Sequence, residues 1–94
     1  MRHTMETTIP TENAGRYLQQ LAKHWSHKFD VTFNDKEATI ALPEVDLAMT
    51  AQNGSLHLML TSENTEELEV MKTVVAEHLD RFAFKEAPLP FNWQ

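Results

Sequence analysis

His24-Trp25-Ser26-His27-Lys28-Phe29 is the stretch whose reading decides the fold. Upstream of it, Ala14, Leu18, Leu21 and Trp25 recur at helical spacing, with Tyr17 beside them. Downstream, the period falls to two: Phe29, Val31 and Phe33 point one way, Asp30, Thr32 and Asn34 the other. The stretch therefore closes a helix expected over residues 12–27 and opens a strand. Thr11 or Asn13 is the expected N-cap, because either side chain can accept a free N–H of the first turn.

Beyond the stretch the alternation continues. Asn34-Asp35 tolerates left-handed backbone angles and reads as a hairpin turn. Ala38, Ile40 and Leu42 then mark one strand face, and Pro43-Glu44 turns the chain again. Val45, Leu47, Met49 and Ala51 form the next face. Asn53-Gly54 is the strongest hairpin signal in the chain, and Leu56, Leu58 and Leu60 follow it. Asn64 with Glu67 reads as a capping-box variant opening a second helix over residues 65–83. Its stripe is Leu68, Met71, Val75, His78, Leu79 and Phe82, with acidic residues early and Arg81 late, as the helix dipole favours. In the tail Leu89, Phe91 and Trp93 alternate, but Pro88 and Pro90 limit it to an edge strand or an ordered flap. Ahead of the first helix, His3, Met5, Thr7 and Ile9 alternate as an edge strand.

The order is thus β-α-β-β-β-β-α. It predicts a single α+β domain over residues 1–94: a two-layer sandwich with one antiparallel, curved sheet and both helices on its apolar face. This is similar to one half of a TATA-box-binding-protein-like fold. The expected core is Leu18, Leu21, Trp25, Phe29, Val31, Phe33, Ile40, Leu42, Leu47, Leu58, Leu60, Leu68, Val75, Leu79 and Phe82. Thr32, Thr39, Ala41, Ala48, Thr50, His57 and Met59 fall on the opposite face, which is poor in charge. A homodimer through that face or an edge strand is the expected assembly.

Composition excludes several activities. There is no cysteine, so disulfides, thiolate nucleophiles and iron–sulfur ligation are ruled out. The net charge is −6 with no basic stripe, which argues against nucleic acid. No apolar run is long enough for a membrane helix, and the start does not read as a secretory signal; a cytoplasmic location is expected. The two glycines form no phosphate loop. Ser26 lies on a different helix face from His24 and His27, so no Ser–His pair is supported.

Arg16-Tyr17-Leu18-Gln19-Gln20-Leu21 with His24-Trp25-Ser26-His27-Lys28-Phe29, and later His78-Leu79-Asp80-Arg81-Phe82-Ala83-Phe84-Lys85-Glu86, resemble the two signatures of a bacterial domain of unknown function, DUF2218. The Asn53-Gly54 hairpin and its leucine strand resemble the family's middle. A cysteine common in the family before the first histidine is replaced by Ala22 or Lys23, so the resemblance implies no thiol role here. It also implies an association with siderophore-interacting flavin reductases, and hence a part in iron handling.

The candidate ligand-binding residues are His24, His27, Lys28, His78 and Arg81. His24 and His78 each sit about 60° off the centre of a buried stripe, so neighbouring helices would bring them together across the seam. Lys28 and Arg81 would then stand at one end of it, suited to a small anionic ligand such as a carboxylate. His24, His27 and His78 are also candidate metal ligands, but spacing fixes no complete set and HExxH is absent. A structural histidine pair outweighs both readings, and Arg81 has a helix-end salt bridge to Glu77 or Glu86 as its alternative. No metal, cofactor or catalytic residue is assigned. The expected function is a non-enzymatic accessory or binding protein in iron or siderophore handling; the alternative is a homodimerising interaction module without a small ligand.

Overall fold

The computed structural model describes residues 2–94. The elements run β1 (His3–Pro10), α1 (Ala14–Trp25), β2 (Asp30–Phe33), β3 (Glu37–Leu42), β4 (Val45–Gln52), β5 (Ser55–Ser62) and α2 (Thr65–Phe82). The five strands form one antiparallel sheet in the order β1-β5-β4-β3-β2. Both helices pack on the same face, α1 mainly over β3 and β4 and α2 over β5. The predicted α+β architecture is therefore the observed one.

Register explains the core. Ile40 pairs with Leu47, Leu47 with Leu60, and Met49 with Leu58, so each helix-facing row is apolar across the sheet. Leu18, Leu21, Val75 and Leu79 close over these rows and are fully buried. Ile9, Met49, Leu56 and Leu89, absent from the expected core, are buried as well.

Several expectations need correction. The first helix is shorter than residues 12–27. It ends at Trp25, whose carbonyl accepts N–H bonds from both Lys28 and Phe29, turning the chain down into β2. Phe33 is not core but 36% exposed, because β2 is a four-residue edge strand that α1 only partly covers. Phe29, Val31 and Phe82 are half-buried against the core. Asn34 turns the chain through its side chain rather than a left-handed backbone: its Oδ1 accepts the N–H groups of Lys36 and Glu37. The tail is the flap, not the strand. Leu89 is buried, and Glu6 and Gln94 exchange both backbone hydrogen bonds at the free side of β1.

Two turn signals are realised as read, and the Asn64 capping box is realised in half. Gly54 takes φ 77 in the β4–β5 hairpin, and Glu44 takes φ 63 after Pro43, the signature of a type II turn. Asn64 caps α2 by accepting from Glu66 and Glu67, while its own N–H goes to the Ser62 hydroxyl rather than to Glu67. Gly15 lies where an added Cβ would stand 3.2 Å from the Asp35 carbonyl, so the β2–β3 turn can close onto α1.

Candidate functional site

The seam between the helices joins two of the expected residues. The rings of His24 and His78 lie 5.4 Å apart, and His78 also packs 5.0 Å from Trp25. Phe82 meets His24 edge-on. His78 Nδ1–H donates to the Val74 carbonyl one turn earlier, at 2.7 Å, which fixes the ring's orientation. The other three residues are not drawn in. His27 and Lys28 lie exposed in the turn after α1, and Arg81 is exposed in the last turn of α2. None of the three forms an ion pair or side-chain hydrogen bond among the described residues, so the expected Arg81 salt bridge is not formed. No cluster of three metal-ligating side chains occurs among the described residues.

Glu86, offered as a partner for Arg81, is engaged elsewhere. Its carboxylate accepts from the Tyr17 hydroxyl, from Asn13 Nδ2 at 3.1 Å and from Thr11 Oγ1 at 2.9 Å. Asn13 is thus diverted from side-chain capping of α1. The hydrogen bond to Glu86, then burial, pushes the Tyr17 phenol above its ordinary range. The same bond from Tyr17, followed by that from Asn13, holds the Glu86 carboxyl below its ordinary range.

The face opposite the helices is open. Register places Thr4, Thr61, Asp46, Ala41 and Asp30 in one row across it, and Glu6, Met59, Ala48, Thr39 and Thr32 in the next. A concavity of about 650 Å³ lies over the middle of these rows. Its centre is Met59, Ala48 and threonines. Charge is confined to the margin, where Arg2 pairs with Asp46 at 2.8 Å.

At one corner His57 bridges Thr8 and Glu6. Its Nε2–H donates to Glu6 Oε1 and its Nδ1 shares a hydrogen bond with the Thr8 hydroxyl, both at 2.9 Å. Hydroxyl, imidazole and carboxylate in line is the arrangement that activates a nucleophile. Here the side chains of His57 and Glu6 remain 29% and 51% exposed, on open strands rather than in a water-excluding cleft. The chain is a cross-strand ladder. Sequence alone gave no sign of it, because Thr8 and His57 become opposite neighbours only once β1 is paired with β5.

No helix among the described residues is long and apolar enough to cross a membrane. No functionally curated protein matches the chain. The chain is similar to the protein PA4090 from Pseudomonas aeruginosa, solved by NMR, at 32% identity and a TM-score of 0.82, over 97% of this chain and 94% of that one. The family model described as an uncharacterized protein conserved in bacteria, DUF2218, matches residues 6–94. The chain belongs to the DUF2218 family.

Proposed function

We propose that this protein is a non-enzymatic docking domain that binds a protein partner through the helix-free face of its sheet. One observation carries the reading: the face has a small-residue centre of Ala48, Ala41, Met59 and threonines, with ionised groups only at its margin. A solvated sheet face normally carries charge throughout, whereas an interface concentrates apolar surface centrally inside a polar rim. The rim holds the carboxylates Glu6, Asp30, Glu37 and Asp46 against the single guanidinium of Arg2. It therefore suits a partner with an apolar ridge flanked by basic side chains. A second copy would bring the same carboxylates face to face, and a phosphate backbone would be repelled.

The family resemblance supplies the partner to try first, a siderophore-interacting flavin reductase, which would make the domain an accessory in iron handling. Calorimetric titration of the domain into such a reductase from the same bacterium tests this, with Ala48→Arg as the control. Binding that weakens with salt and falls at least roughly a hundredfold in Ala48→Arg is the expected result. No binding, or equal binding by the variant, contradicts it. If light scattering instead shows a dimer of the domain alone that Ala48→Arg dissolves, the face serves self-association.

A further inference from the structure

We propose a second, independent site: a pocket for a small aromatic carboxylate between the start of α1 and the segment leaving α2. The pocket is a surface cleft of about 160 Å³ whose lining includes Arg16, Tyr17, Phe82, Phe84, Lys85 and Glu86. Three aromatic rings and two cations converge there in a chain whose net charge is −6.

Neither Arg16 nor Lys85 has an ion-pair partner among the described residues; the ion pairs are Arg2–Asp46, His57–Glu6 and Lys72–Glu69. The one carboxylate at the pocket, Glu86, is already held by Tyr17, Asn13 and Thr11. Its carboxylate is thus occupied by neutral donors, Asn13 among them at the pocket wall, and forms no ion pair with Arg16 or Lys85. Phe84 is the most exposed large apolar side chain of the described residues, at 72%. Leaving that ring in water forgoes the gain that covering it would bring.

The dimensions set the ligand class. A volume of about 150 Å³ matches a single benzene-sized ring. Arg presents a planar fork matched to a carboxylate, with Lys85 adding a second point charge. A single ring bearing a carboxylate satisfies both parts of the lining. An aliphatic acid leaves the rings uncovered, and an aromatic amine meets two like charges.

Benzoate is the probe. Titrated into the full chain and followed by aromatic and amide NMR, it is expected to shift Tyr17, Phe82 and Phe84 saturably, with a dissociation constant of about 1 mM. Acetate and benzylamine at the same concentrations should leave these signals in place. Arg16→Gln/Lys85→Gln should weaken benzoate at least roughly tenfold, and Phe84→Ala, at an exposed position that does not endanger folding, should weaken it several-fold. Absence of a saturable benzoate shift overturns the proposal, as does equal binding of benzylamine or undiminished binding by the Arg16/Lys85 variant.

Discussion

The Glu86 carboxylate accepts the phenolic hydrogen of Tyr17, 69 positions earlier in the chain, and so ties the segment after α2 to the first turn of α1. Tyr17 is 5% exposed, so its O–H depends on this acceptor, while its oxygen accepts from Asn13 Nδ2 at 3.4 Å. Tyr17→Phe and Glu86→Ala are each expected to cost about 1 kcal/mol, with a coupling of similar size in a double-mutant cycle read from urea midpoints. Additive losses would show that the two act separately.

The same contact predicts a pH profile. Glu86 is held below its ordinary 4.5, so its contribution is fully present above that value and is lost as the pH falls through the folded value. Tyr17 is raised above its ordinary 10.0, so its contribution is fully present below that value and is lost as the pH rises through the folded one. Stability measured below 4.5, near neutrality and above 10.0 should decline at both ends, and in Tyr17→Phe both declines should shrink.

His78 packs between Trp25 and His24 and bonds the Val74 carbonyl. His78→Ala should cost about 1–3 kcal/mol in thermal or urea unfolding. His24→Ala, at an exposed position, should cost less than about 1 kcal/mol. Calorimetry with Zn²⁺, Fe²⁺ and citrate should show no uptake that depends on the pair. Binding that disappears in the double variant would make this a ligand site instead of a packing contact.

Glu44 is the one non-glycine residue with positive φ among the described residues, at 63. Its structural hydrogen bond is made by its carbonyl, which accepts from the Ser62 hydroxyl, so the side chain is dispensable. Glu44→Gly should raise stability by about 0.5 kcal/mol, the relief of left-handed strain exceeding the added entropy of the unfolded chain. A lower midpoint on chemical unfolding would show that the turn is not strained.

Much of the fold is legible because it is local. The change of period at Trp25–Phe29, the Asn53-Gly54 turn and the Asn64 cap each depend on neighbours within a few residues. Even the meeting of His24 and His78 follows from helical angles once the helices are taken as neighbours. What escapes is set by pairing at long range. Phe33 alternates like a core residue and is exposed because nothing lies beyond β2. Thr8 and His57 are 49 positions apart, and no periodicity links them. Asn13 looks like an ordinary cap until Glu86 arrives to occupy its side chain.

The open sheet face carries the proposed docking, and its methyl groups test it directly. The methyl signals of Met59, Ala41 and Ala48 should shift or broaden when a siderophore-interacting reductase is added to the methyl-labelled domain. Those of Val70, 52% exposed on α2, should stay in place. Perturbation confined to Val70 and its helix-side neighbours, with the three sheet methyls unmoved, would contradict the assignment of that face.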